Sequence, residues 1–173
     1  MSGSTSMVFT HTCETTQLLA LVLQNLGLKA IPISSQMSQV KRLEALNKFK
    51  AGECNILICT DEASRGLDIP SVDMVVNYDI PSNSKDYINR VGRTACSRQS
   101  GVSISLVNQY DVESFVQIEE LIGKKIPVFA CKEDEVLLLL ECVTEAKRIS
   151  LMVLESLNLH EMLSTEMQIN SRL

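Results

Sequence analysis

A three-layer α/β domain with a mostly parallel sheet is the fold class this sequence predicts. Three observations carry the expectation. Short apolar runs alternate with stretches of helical periodicity from Met7 to Ile122, the connections between them are short, and runs such as Asn55-Ile56-Leu57-Ile58-Cys59 are continuously apolar, as in strands covered on both faces.

Met7-Val8-Phe9-Thr10 reads as the first buried strand. Cys13 to Leu26 follows as a helix, with Leu18, Leu19, Val22, Leu23 and Leu26 at helical spacing and Gly27 as its stop. Lys29-Ala30-Ile31-Pro32-Ile33 reads as a second strand, and its internal proline, which lacks a donor, puts it at an edge or early position. Ser38 is placed to cap a helix running to about Lys50, ended by Gly52, with Val40, Leu43, Leu46, Asn47 and Phe49 on its apolar side. Asn55 to Cys59 is the third strand and Asp73 to Tyr78 the fourth. A short helix from Ser84 to Arg93, capped by Ser84, comes next, then a fifth strand over Val102–Val107 and a helix over Val112–Ile122. After Gly123 the character changes. Lys132 to Leu157 is Leu-rich and acidic, with Val136, Leu140, Val143, Ala146, Ile149 and Val153 repeating as on a helix that packs on the domain or reaches for a partner. The expected organisation is a flexible leader over 1–6, a domain over 7–130, a helical extension over 131–157 and a loose tail over 158–173.

The chain has 173 residues, of which 45% are hydrophobic, enough for one packed domain. Trp is absent and aromatics are scarce, so the core falls to Leu, Ile, Val, Met and Ala. No apolar run is long enough for a membrane helix, and Met1 to Ser6 lacks the charged and apolar regions of a secretory signal. The six cysteines form no C-x-x-C pair; reduced, mostly buried thiols are expected, and no metal site. Net charge is -5. From Gln36 to Gly101 the chain is close to neutral, while from Asp111 onward acids outnumber bases, so any attraction for nucleic acid must be local and in the first two thirds.

In parallel sheets ligands sit at the carboxyl ends of strands, and there the sequence places His11-Thr12, Ser34-Ser35-Gln36 and Thr60-Asp61. No P-loop G-x-x-x-x-G-K-[ST] occurs, so nucleoside triphosphate chemistry requires a second domain. Two segments stand out instead. Ile56 to Pro70 runs from a buried strand into a loop with Arg65, Gly66 and Asp68. Tyr87-Ile88-Asn89-Arg90-Val91-Gly92-Arg93-Thr94-Ala95 sets two arginines three apart beside a glycine. Fixed, permanently charged guanidinium groups are what a polyphosphate transition state demands.

Thr60-Asp61-Glu62-Ala63-Ser64-Arg65-Gly66-Leu67-Asp68-Ile69-Pro70 resembles motif V of the DEAD-box RNA helicases, and Tyr87 to Ala95 resembles motif VI. Met7-Val8-Phe9 with Thr12 is similar to motif IV, and Gln39-x-x-Arg42 to motif IVa. The likeness runs from about Met7 to about Arg148. It implies a RecA-like C-terminal helicase domain working with an N-terminal RecA-like domain on ATP, Mg²⁺ and RNA. On the matching positions, Asp68 would accept from the ATP ribose with Gly66 allowing close approach. Arg93 would be an arginine finger at the γ-phosphate, and Arg90 would tie motif VI to interdomain contacts. Gln39, Arg42 and Thr60 would hold the RNA backbone, reading phosphate and ribose without base identity. The bland alternatives are a solvated, ion-paired Arg42 and a Thr60 that only caps its turn; Arg65 is expected to be structural, bridging to an acidic loop. Ala30-Ile31-Pro32, Gln36-Met37-Ser38-Gln39, Lys85-Asp86-Tyr87-Ile88, Gln109-Tyr110-Asp111-Val112-Glu113 and Leu121-Ile122-Gly123-Lys124-Lys125 resemble most the branch acting on pre-ribosomal RNA, which implies the nucleolus.

The sequence departs from the family pattern at Asn89 in place of His, at Cys96 in place of the second arginine finger, and at Arg98 and Gln99 in place of Gly and Arg. Ser34-Ser35 stands for His-Gly, and Glu62 for a small apolar residue. Two readings follow: half of an ATP-dependent RNA helicase, or a diverged copy acting as a weak RNA- or protein-binding module. An unrelated flavodoxin-like domain is disfavoured by the paired motifs.

Overall fold

In this computed structural model the backbone is described for residues 4–94 and 101–170, and side chains for 4–94 and 101–157. Five strands form one all-parallel sheet: β1 (Ser6–Phe9), β2 (Ala30–Ile33), β3 (Ile56–Cys59), β4 (Met74–Asn77) and β5 (Val102–Ser105), in the spatial order β2-β3-β1-β4-β5. The proline-bearing β2 is indeed at an edge. β1 is central, with Phe9 level with Cys59 on one side and Asn77 on the other. All strands point the same way, so their carboxyl ends share one rim.

The pleat sends alternate residues to opposite faces, and the core divides accordingly. Met7, Phe9, Leu57, Cys59 and Val75 pack with Ala45, Leu46 and Phe49 of α2 (Gln39–Lys50) and with Ala63, Leu67 and Ile69. Val8 and Ile58 pack on the other face against Ala20, Leu19 and Leu23 of α1 (Cys13–Asn25). Helices on both faces make the three layers the alternating pattern predicts. A third cluster joins Tyr87 of α4 (Ser84–Val91) to Ile118 of α5 (Val112–Ile122), through Ile80, Phe115 and Ile126.

Several local expectations need correction. Asn83, not Ser84, caps α4, its side chain accepting from the Lys85 amide at 2.9 Å. Val40 and Leu43 are 65% and 44% exposed, so the buried side of α2 is Ala45, Leu46 and Phe49; alanine carries too little hydrophobic signal to mark that side in a sequence. The Leu-rich extension is two helices, α6 (Glu133–Leu137) and α7 (Leu140–Asn170). Of its repeating residues only Ala146 is buried. It packs on α1 together with Ser150, whose hydroxyl accepts from the Asn25 amide at 2.9 Å. The expected loose tail is largely helical backbone, since α7 runs on to Asn170. Among the described cysteines only Cys59 is buried, and Cys131 and Cys142 are exposed.

Candidate nucleotide and RNA site

The rim at the carboxyl ends of β1, β3 and β4 is stitched by backbone hydrogen bonds. Thr10 donates to the Cys59 carbonyl at 3.1 Å, Tyr78 to Phe9 at 3.0 Å and Asp79 to Phe9 at 3.2 Å. The Asp79 carboxylate turns back to accept from the His11 amide at 2.7 Å. Into this rim α3 (Asp61–Ser64) and α4 deliver the residues of the two motif segments.

Arg90 is the hub. Its side chain is 1% exposed. Nε donates to Asp61 Oδ1 at 2.8 Å and Nη2 to Oδ2 at 2.7 Å, a bidentate pair. Nη1 donates to the Asp79 carbonyl at 2.7 Å and to Asn77 Oδ1 at 3.2 Å. The guanidinium also lies over the Phe9 ring, 5.0 Å from its centre. Inside the domain these groups match the Arg90 charge and lock α4 to the ends of β3 and β4. The sequence marks Asp61 as a rim residue but not as the partner of Arg90, and it does not mark Asn77 or Asp79. Asn77 carried a usable signal, a polar amide closing an apolar strand, because a fully buried amide must be hydrogen-bonded.

Arg93 follows the helix end at Gly92 and is half-buried. Both line a cavity of about 320 Å³ with Phe9, Asp61, Ser64, Arg65, Asp86, Ile88, Asn89 and the edge of the buried Arg90. Among the described residues the Arg93 side chain makes no hydrogen bond or ion pair. Arg65 is anchored to Asp86 Oδ1 at 2.9 Å, an acid on α4 rather than in a loop, which agrees with its structural reading. Cys59 lies beneath; burial, reinforced by the nearby Asp61 charge, pushes its thiol far above the ordinary range, so it stays neutral.

Asp68 does not line the cavity of Arg93. Its carboxylate is 97% exposed and takes a hydrogen bond from Lys50 Nζ at 2.8 Å, which holds it below the usual carboxylate range. Lys50, at the end of α2, is another neighbour the sequence reading missed, because the two lie on different elements. Gly66 has φ 73°, and a β-carbon there would meet nothing within 4 Å. The glycine is thus required by its left-handed backbone, and the space over it is open.

Two of the three RNA candidates, Thr60 and Arg42, meet at Ala63, and Gln39 joins them through Arg42. Thr60 is 4% exposed and its hydroxyl accepts from the Ala63 amide at 3.3 Å, capping α3. Arg42 Nη2 donates to the Ala63 carbonyl at 2.7 Å, and Nη1 to Gln39 Oε1 at 3.3 Å. Arg42 Nε is buried without a partner. Gln39 is exposed, and Glu62 is exposed next to this group. In place of a solvated Arg42 paired with an acid, the structure has a guanidinium bracing the α3 backbone. Ser34, from the Ser34-Ser35 departure, is fully buried with an unpartnered hydroxyl. Cys96, Arg98 and Gln99 lie outside the described residues.

A doubly wound parallel sheet with an arginine-lined rim, joined to these motif segments, defines one half of a two-domain helicase core. The family described as helicase conserved C-terminal domain matches residues 1–98, and the chain belongs to it. Among curated relatives, DEAD-box ATP-dependent RNA helicase 10 of Arabidopsis thaliana is 70% identical over 152 residues, 88% of this chain and 33% of the relative. Probable ATP-dependent RNA helicase DDX47 of Homo sapiens is 58% identical over 154 residues, 89% of this chain and 34% of the relative. ATP-dependent rRNA helicase RRP3 of Yarrowia lipolytica is 52% identical over 147 residues, 85% of this chain and 31% of the relative. The chain thus spans about a third of the length of these relatives. Among solved structures, E. coli DEAD-box protein SrmB bound to regulator of ribonuclease activity A superposes with TM-score 0.70 at 35% identity, covering 78% of each chain.

Proposed function

We propose that this chain is the C-terminal half of an ATP-dependent RNA helicase acting in ribosomal RNA processing, in the nucleus and its nucleolus. The observation that carries the reading is the division of labour between Arg90 and Arg93: one is buried as a brace, the other is left on the wall of a rim cavity with no partner among the described residues. A permanently charged guanidinium left without a partner among the described residues, at the end of a braced helix, suits charge stabilisation at a transferring phosphoryl group. The relative named ATP-dependent rRNA helicase RRP3 supports the processing branch. A solved relative, Mss116p DEAD-box helicase domain 2 bound to an RNA duplex (TM-score 0.68, 30% identity, 83% of this chain and 58% of that one), supports RNA as the ligand.

The rim residues suit the phosphate end of a nucleotide site, with Asp68 outside the cavity of Arg93. Arg93 and Gly92 would meet the phosphate end, and the exposed Asp68 carboxylate and the open space over Gly66 suit a ribose hydroxyl. ATP, when bound, supplies the phosphoanhydride whose hydrolysis drives the cycle; its Mg²⁺ and triphosphate cradle are assigned to the N-terminal RecA-like domain. Gln39, Arg42 and Thr60 would hold RNA backbone, and differential affinity between open and closed arrangements of the two domains would do the work. A second reading, a catalytically impaired binding module, draws its support from Cys96 in the second finger position and from Glu62 beside the RNA group.

The test is a fusion of this chain to an intact N-terminal DEAD-box helicase domain. RNA-stimulated ATP hydrolysis is expected, with Arg93→Ala lowering kcat by roughly 10³-fold and Asp68→Ala acting chiefly on KM. An Arg93→Ala fusion as fast as its parent would defeat the assignment.

A further inference from the structure

The segment from Lys132 to Val143 carries two kinds of residue that the domain does not use. α6 buries none of its side chains. Leu138 is 80% exposed, and Val136, Leu137, Leu139 and Leu140 are 55%, 54%, 60% and 60% exposed. Interleaved with them, Glu133, Asp134, Glu135 and Glu141 are exposed as well. The one cation of the stretch, Lys132, is already paired with Glu135 at 2.7 Å. The backbone is nonetheless ordered into helix: Leu138 donates to the Asp134 carbonyl and Val143 to that of Leu139, so α6 runs with only a slight break into α7.

A five-residue helix without a buried side gains little from its own hydrogen bonds, because isolated short helices are marginal in water. A contiguous run of exposed leucines marks an interaction surface. The charge says what fits it. RNA and an anionic membrane are repelled by the four carboxylates, and a second copy of this chain would press carboxylates on carboxylates. A cationic partner gains from the same groups in encounter and in register, and leucines along helical turns take an amphipathic helix in the helix-to-groove manner. We infer that α6 and the first turn of α7 form a docking surface for a basic amphipathic helix of another polypeptide.

The experiment uses the 173-residue chain and three labelled synthetic peptides. One is an amphipathic helix of Leu and Lys, one the same residues scrambled, and one the same helix with Glu for Lys. Fluorescence anisotropy should show saturable binding of the first alone. The pair Leu138→Ser with Leu139→Ser should weaken it about tenfold or more. The set Glu133→Gln, Asp134→Asn, Glu135→Gln should weaken it comparably and flatten its salt dependence. These side chains are exposed, so unchanged circular dichroism and melting are expected of both variants. Equal binding of the scrambled peptide, or indifference to the leucine substitutions, overturns the proposal. A wild-type dimer in sedimentation that the leucine variant dissolves overturns it in favour of a second copy.

Discussion

Arg90 and Arg93 stand three residues apart and meet opposite fates. The first sits on the inner side of α4, where Asp61, Asn77 and the Asp79 carbonyl satisfy it over the Phe9 ring. The second lies past the helix end, where the chain has turned toward the rim. Removing one partner of a buried ion pair leaves the other charged group without compensation, which costs more than the pair itself contributes. Arg90→Ala is therefore expected to lower stability by about 3–5 kcal/mol in urea unfolding, with the Asp61 carboxylate and Asn77 Oδ1 left without their donor. Arg93→Ala should leave the same unfolding curve almost unmoved. Equal losses from the two substitutions would contradict the division between brace and cleft residue.

At the scale of elements, α5 shows how a helix end is tied down. Gly123 closes it with φ 75°, and the chain then returns to Glu119, whose carboxylate accepts from Lys125 Nζ and from the Ile126 amide, the latter at 2.9 Å. Those two donors, the lysine first, hold the Glu119 carboxyl below the usual carboxylate range. A carboxyl lowered in the folded state stabilises above its unfolded value, about 4.3 for Glu, and that contribution is lost as pH falls through the lower folded value. The wild-type protein should thus melt above Glu119→Gln at neutral pH, and the gap should close in acid below about pH 4. A gap that persists or widens in acid would refute the linkage.

For the molecule as a whole, parallel strands bring Asp61, Arg90 and Arg93 to one rim, while Asp68 is held away from it by Lys50. The isolated chain is expected to show no ATP turnover above background, because no phosphate cradle is encoded within it. Its competence after fusion turns on position 96, where a thiol stands in for a guanidinium. Cys96→Arg should raise RNA-stimulated ATP hydrolysis of the fused protein, by up to roughly 10³-fold if the missing charge is the whole deficit. No gain in steady-state rate would show that the site works without it.

The order of the five strands and of the helices between them, α3 apart, the edge position of the Pro32 strand, the cap at Ser38 and the motif segments were legible in the residues. Each is a matter of local pattern: periodicity, a missing donor, a side chain that reaches its own helix end. What could not be read were the partnerships across elements. Arg90 with Asp61, Arg42 with the Ala63 carbonyl and Lys50 with Asp68 join groups separated by 29, 21 and 18 positions, and a guanidinium carries the same charge in sequence whether it faces a cleft or a core. Chain alone therefore determined the layers and the chemistry available at the rim. Which cation was spent inside and which was left without a partner among the described residues was decided by tertiary packing, because burial and hydrogen-bond saturation belong to the folded arrangement and not to any residue in it.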